Sequence, residues 1–181
     1  MNDRPFLTDV QTIRKRARQR IKQGAITDSY GADPAIVVDL LNQALATEIV
    51  CQLRYKRHHF TAQGLASEAV ASEFLAHAKE EEQHADWLAA RIVQIGGEPD
   101  FSPEGLATRS HAEYVEGHSL IEMIEEDLVA ERVAIESYGE MIRYLADSDI
   151  TSRRLLEKIL EVEEEHAEDL VSLIQGMRST R

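Results

Sequence analysis

Six side chains in this 181-residue sequence have types and spacings that could hold metal ions: Glu48, Glu81, His84, Glu131, Glu163 and His166. Residues 81–88 read EEQHADWL and residues 163–170 read EEEHAEDL, so each carries a Glu-x-x-His. On a helix the i and i+3 side chains share a face, and such a pair can grip one metal ion. One such motif would mean little in a chain with 33 Asp and Glu residues, where it is usually a solvated helix face. Here the motif recurs at an offset of 82 residues, and each copy follows another glutamate by 33 or 32 positions. Those upstream glutamates also match. Glu48, in Ala-Thr-Glu, precedes Tyr55 by seven residues, and Glu131, in Val-Ala-Glu, precedes Tyr138 by seven. An internal duplication of a helix pair is the simplest source of this repeat.

All six residues are in phase with the apolar stripes of their segments, at positions expected to be core. An isolated carboxylate there would be costly enough to protonate or find a partner. Four converge here, and no Lys or Arg shares their stripes. Two divalent cations would bring four positive charges against four carboxylates. Carboxylates with one imidazole per metal suit iron or manganese better than copper or structural zinc. The pattern is that of a dinuclear metal centre built from Glu side chains of two helices and Glu-x-x-His motifs of two others.

The elements that must position these groups are four long helices. The first opens at Asp33-Pro34, an N-cap followed by proline. It runs to about residue 62 and stops at Gly64, with Val37, Leu41, Ala44, Glu48, Cys51 and Tyr55 inward. The second spans about 66–95 before the Gly96-Gly97 stop, with Phe74, Ala78, Glu81, His84, Leu88, Ile92 and Ile95 inward. Residues 96–118, with Pro99, Pro103, Gly105 and Gly117, are too long for a hairpin and fit a crossover along a bundle. The third helix spans about 119–146, with Leu120, Ile124, Leu128, Glu131, Ala134, Ile135, Tyr138 and Ile142 inward. Asp147, Ser148 and Asp149 turn the chain and cap the fourth helix, about 150–177, with Leu156, Ile159, Glu163, His166, Leu170 and Leu173 inward. The expected fold is all-α: an antiparallel four-helix bundle over 34–181 with one long crossover between its second and third helices, plus an N-terminal helical arm over 1–33.

The arm differs in charge. It holds seven basic residues against four acidic, six of the basic ones within RKRARQRIK at 14–22, in a chain whose net charge is −13. That leaves −16 on the bundle. The favoured reading of the basic run is a helix face docking on an acidic neighbour, with a nucleic-acid or anionic-surface arm as the sharper alternative. The acidic balance disfavours a generally basic nucleic-acid surface. One cysteine, Cys51, excludes an internal disulfide framework and a multi-cysteine metal site, and is read as core packing. The start MNDRPFLTDV lacks the features of a secretory signal, and no run approaches a membrane span, so a cytoplasmic protein is expected. His58, His59, His77, His111 and His118 are read as surface or interface polar groups, with iron uptake the alternative. Tyr55 and Tyr138 are read evenly as core filler or as groups that hydrogen-bond or donate electrons to the centre. Trp87 is read as core or interface.

Over residues 34–175 the chain resembles bacterioferritin and its relatives in the ferritin-like superfamily. Glu48 with Tyr55 looks like the first-helix ligand and its nearby tyrosine. Glu81 and His84 look like the second-helix bridging glutamate and terminal histidine. Glu131, in DLVAE, looks like the third-helix terminal glutamate, and Glu163 and His166 like the bridging glutamate and terminal histidine of the fourth. The resemblance implies a ferroxidase centre of two iron ions per subunit, with manganese or zinc as possible substitutes. Fe(II) would be oxidised by O2 or H2O2 and stored as a ferric mineral in a homo-oligomeric shell, with protection against oxidative stress. The acidic bundle would then suit an iron-attracting inner face. Haem is not expected, because Glu82 stands where haem-binding bacterioferritins carry a methionine. Fifteen residues follow His166, too few for the fifth helix of 24-subunit shells, so the Dps-like twelve-subunit branch is favoured. Some members of that branch carry a cysteine pair near the metals, which Cys51 alone cannot supply. The competing readings are a di-metal oxidase, peroxidase or manganese-catalase-like enzyme without storage, and a DNA-protecting Dps-type protein using the basic arm.

Overall fold

The computed structural model describes residues 9–63 and 67–179. Among them the helices are α1 (Val10–Gln19), α2 (Pro34–Thr61), α3 (Ser67–Gln94), α4 (Leu106–Arg109), α5 (Leu120–Leu145) and α6 (Ile150–Ser179), with no strand. The expected stop at Gly64 and start at Ala66 lie outside the described residues. The other boundaries fall within about two residues of those expected, and only the single turn α4, inside the crossover, was not anticipated.

Local chemistry sets the ends. Asp33 accepts from the Ala35 amide at 2.9 Å, with Pro34 at the first helical position, and Ser119 accepts from the Glu122 amide at 3.3 Å. The chain leaves α3 through Gly96 at φ +89°, a left-handed conformation that glycine adopts without strain. A Cβ on the following Gly97 would sit 2.5 Å from Val38 Cγ2, so this turn closes directly onto the start of α2. Asp149 caps α6 through the Ser152 amide at 2.9 Å.

Neighbouring helices α2, α3, α6 and α5 run antiparallel around the core. Contacts from α2 show how the crossover is held. Asn42 binds the backbone at Glu98 and Asp100, Thr47 accepts from the His111 amide, Arg54 donates to the Glu113 carbonyl, and Arg57 to that of Glu116. The crossover therefore follows α2 along its length and delivers the chain to the far end of the bundle. Two large apolar clusters fill the interior, beside a small third one of Cys51, Ala112 and Ala130. One contains Leu41, Leu45, Leu88, Ile92, Leu145, Leu156 and Ile159; the other contains Tyr55, Phe74, Ala78, Met123, Ile124 and Leu170. The level between them is polar. By length and composition α2 could cross a membrane, but here its apolar stripe is the buried side of a bundle helix.

Helix α1 has no buried residue, and its basic side chains at 14–18 are exposed. The chain rejoins the bundle at Ile26, which packs on the first cluster, and at Tyr30, whose hydroxyl donates to Asp149 Oδ2 at 2.7 Å. Cys51 is buried, as expected of core packing, and Trp87 is partly buried beneath the Lys158 ammonium, 3.3 Å from its ring centre.

Candidate metal centre

The polar level between the two apolar clusters contains the six residues singled out from the sequence. Glu48 comes from α2, Glu81 and His84 from α3, Glu131 from α5, Glu163 and His166 from α6, and none is more than 2% exposed. Antiparallel packing brings the two Glu-x-x-His motifs face to face, so their duplication appears in space as a pseudo-twofold pair.

The two histidines divide the carboxylates. His84 Nδ1 lies 2.9 Å from Glu163 Oε1, 3.1 Å from Glu48 Oε2 and 3.5 Å from Glu81 Oε2. His166 Nδ1 lies 3.6 Å from Glu81 Oε1, 3.7 Å from Glu163 Oε2 and 3.9 Å from Glu131 Oε1. Glu81 and Glu163 thus turn opposite oxygens toward opposite histidines, while Glu48 and Glu131 each serve one. Two overlapping sets follow, Glu48–Glu81–His84–Glu163 and Glu81–Glu131–Glu163–His166, each with ligand atoms within 4.8 Å of one another. A carboxylate that faces two such sets is disposed to bridge two cations.

The donor set fits a pair of divalent metals. Glu81 Oε1, Glu131 Oε2 and His166 Nδ1 are buried without a hydrogen-bond partner, a costly condition that a metal ion would relieve. Electrostatics without metal tell the same story. Burial, and then Glu81, pushes Glu48 up to about 8, and burial with Glu81 and Glu163 nearby holds Glu131 well above the carboxylate range. Burial and carboxylate neighbours push Glu81 and Glu163 the same way, but the adjacent His166 and His84 imidazoles prevail and hold both below their ordinary value. Burial works against charge on the imidazoles, yet the glutamates around them raise His84 and His166 to about 12. Protons thus stand in for the missing positive charge.

The tyrosines meet the centre across the bundle. Tyr55 on α2 donates its hydroxyl to Glu131 on α5, and Tyr138 on α5 donates to Glu48 on α2. Each tyrosine therefore meets the glutamate of the opposite helix.

Two expectations are corrected. His58 and His77 are not surface groups: both are buried. His58 lies with its Nδ1 2.8 Å from Asp127 Oδ2, and Arg54 donates to Asp127 Oδ1 at 2.7 Å. Arg54 is thus a buried cation on α2 beside the inward stripe, but it is matched to Asp127 rather than to the metal-centre carboxylates. His77 stacks on His166, and burial followed by that neighbour lowers it to about 3. A signal for His77 was present, since it sits one turn before Glu81 on the same face. Of the remaining histidines, His59 and His111 are partly buried and bonded, His59 to the Ala71 carbonyl and His111 to Gln43, while His118 is exposed.

The chain is 29% identical to a bacterioferritin of Desulfovibrio desulfuricans over 150 residues, 81% of this chain and 80% of that one. A crystal structure of that organism's bacterioferritin, described with a diiron site in different catalytic states, superposes with a TM-score of 0.71 at 27% identity, covering 81% of this chain and 82% of that one. A nutrient stress-induced DNA-binding protein of Nostoc is 28% identical over 171 residues, 93% of this chain and 92% of its own. The dodecameric thioferritin of Bacteroides fragilis, a bacterioferritin-related protein, superposes with a TM-score of 0.79 at 27% identity, covering 83% of this chain and 90% of that one. Residues 38–180 match the ferritin-like domain family, and the chain belongs to that family, in its bacterioferritin and Dps branch.

Proposed function

We propose that this protein oxidises and stores iron, using a ferroxidase centre of two iron ions within each subunit. The observation that carries the reading is the division of carboxylate oxygens: Glu81 and Glu163 each offer one oxygen to the His84 side and one to the His166 side. In this reading Glu81 and Glu163 bridge, Glu48 and His84 complete one end, and Glu131 and His166 complete the other. Fe(II) is the substrate, and O2 or H2O2 takes the electrons from the paired ions. Manganese or zinc would occupy the same donors. The protein's part is to hold two like charges close together. Four carboxylates balance them, the apolar clusters on either side limit access of bulk water, and Tyr55 and Tyr138 fix the terminal glutamates through hydrogen bonds. Glu82, at the position the family uses for a haem-ligating methionine, is exposed, and the protein is read as haem-free and cytoplasmic.

Storage requires a hollow homo-oligomer, and likeness to the dodecameric thioferritin supports a shell of twelve. The deciding experiment is stopped-flow oxidation of Fe(II) by Glu81→Ala and Glu163→Ala. Each removes a shared ligand and unbalances the charge, so rapid oxidation should disappear while the shell stays assembled. Wild-type rates in both variants would overturn the assignment.

A second reading has its own observation. The Arg14–Lys15–Arg16–Arg18 cluster of α1 is exposed, and the Nostoc relative bears a DNA-binding name. A gel shift of intact and 1–33-deleted protein at low and moderate salt tests whether this arm retains DNA.

A further inference from the structure

Helix α1 is amphipathic, and none of its residues is buried. Val10, Ile13, Ala17 and the following Ile21 fall on one stripe at helical spacing. Val10, Ile13 and Ile21 are 54%, 48% and 81% exposed. The stripe forms one wall of an open hollow of about 510 Å³, whose facing wall is the arm's own residues 23–29. Arg14 and Arg18 flank the stripe on one side and Arg16 on the other. Arg20 pairs with Asp28 at 2.5 Å, but these three arginines have no carboxylate partner among the described residues. Phosphates would engage the arginines and leave the stripe bare, so the stripe needs an apolar partner with acidic edges.

The bundle carries a groove of that kind. Between the start of α2 and the end of α5, an open groove of about 540 Å³ is lined by Ile36, Leu40, Met141 and Tyr144, with Asp39 on the α2 side and Glu140 on the α5 side. Ile36 and Tyr144 are 48% and 58% exposed. No Lys or Arg lines the groove. His111 does, but burial holds it below its ordinary value, so it adds no positive charge at neutral pH. Asp39 accepts from Gln43 on its own helix at 2.8 Å, and neither Asp39 nor Glu140 has a cation partner among the described residues. The lengths agree as well. Residues 36–43 and 137–144 each give roughly 10 Å of wall, and Val10 to Ala17 spans the same. Within one chain the two surfaces do not meet: no arm residue lines the groove, and no bundle residue lines the hollow.

We propose that α1 of one subunit seats in the α2–α5 groove of a second copy, with its apolar stripe over Leu40 and Met141 and its arginines against Asp39 and Glu140. This contact does not rest on the ferroxidase reading, since none of these residues is among the six proposed ligands.

The test is charge reversal with mixing, read by light scattering on full-length chains. Arg14→Glu/Arg16→Glu/Arg18→Glu makes the arm acidic, and Asp39→Arg/Glu140→Arg makes the groove basic. All five side chains are exposed, so the bundle should fold in both variants. In each variant alone arm and groove repel, and the assembly should dissociate at a concentration about tenfold or more above that of wild type. In an equal mixture each arm finds a groove of opposite sign only on the other variant, so the mixture should assemble at lower concentration than either variant alone. Two variants that each assemble like wild type would overturn the proposal. A mixture no better than its components would also overturn it, because an arm docked on its own chain's groove gains nothing from mixing. Wild-type assembly of both variants, with loss of binding to duplex DNA or to phosphatidylglycerol vesicles in the arm variant, would overturn it in favour of an anionic partner.

Discussion

Tyr138 on α5 donates its hydroxyl to Glu48 on α2, and Tyr55 on α2 returns the arrangement to Glu131 on α5. Each tyrosine is seven residues beyond a glutamate of the set, yet it serves the glutamate of the other helix. Antiparallel packing makes this reciprocal, because a step of seven down one helix meets a step of seven up the other.

Removing either hydroxyl leaves a buried carboxyl oxygen without its donor. Tyr55→Phe and Tyr138→Phe should each lower stability of the metal-free protein by about 1–3 kcal/mol. Thermal or denaturant unfolding in chelator measures it. If the rings were only core filler, both substitutions would be close to neutral. The loss should be smaller with metal present, because metal binding stabilises the native state and a ligated oxygen needs the donor less.

Metal loading should strengthen as pH rises. Without metal, Glu48 stands at about 8 and His84 and His166 at about 12, so these three carry protons at neutral pH, while burial holds Glu131 well above its ordinary value. Each must lose its proton to become a ligand. Binding two divalent ions should therefore release about three protons or more. Calorimetry in buffers of differing ionisation enthalpy counts them. Release of none, or affinity that falls between pH 6 and 8, would contradict the ligand set. The sign follows because the folded, metal-free protein binds these protons more tightly than the metal-bound one.

Below the centre, Arg54 and Asp127 form a fully buried pair, with His58 on the second carboxylate oxygen. Asp127→Ala strands a buried guanidinium and should cost about 3–5 kcal/mol. It also loosens the crossover, because Arg54 and His58 hold the Glu113 and Glu116 carbonyls. Denaturant unfolding reads the loss, while the two-metal stoichiometry at Glu81 and Glu163 should survive. A cost below 1 kcal/mol would mean that water reaches Arg54.

These two polar layers were not equally legible in the sequence. Glu48, Glu81, His84, Glu131, Glu163 and His166 stood out because a polar type recurred in phase with apolar stripes and repeated at a fixed offset. Helix limits were legible where a capping residue or paired glycines marked them, as at Asp33 and Gly96. Arg54 and Asp127 had no such mark. Each lies beside its stripe rather than on it, and only their contact across 73 residues makes either tolerable in the interior. Asp149 was legible as a helix cap but not as the partner of buried Arg91, for the same reason. His77 lies beside the α3 stripe, one turn before Glu81, and a lone histidine is ordinary at a surface; the His166 and Tyr55 rings packed on it account for its burial.

Assembly can be argued from what one chain leaves uncovered. Phe60, Val93, Phe101, Val129 and Tyr144 are each more than half exposed, from 54% to 80%, on different parts of the bundle. Large apolar side chains distributed in this way suit contacts to several neighbours rather than to one. Closed symmetric assemblies satisfy such contacts without leaving edges. Helix α1 adds a basic element without a buried residue next to a bundle of net negative charge, so arm-to-bundle contacts between subunits should weaken as salt rises. At 20.4 kDa per chain, twelve copies weigh about 245 kDa and twenty-four about 490 kDa. Light scattering should return the smaller mass. The larger would favour the 24-subunit alternative, and a dimer would favour a di-metal enzyme without storage. Deleting residues 1–33 should shift the dodecamer toward smaller species at high salt while leaving the bundle folded and its two-metal stoichiometry unchanged, because all six proposed ligands lie downstream of the cut.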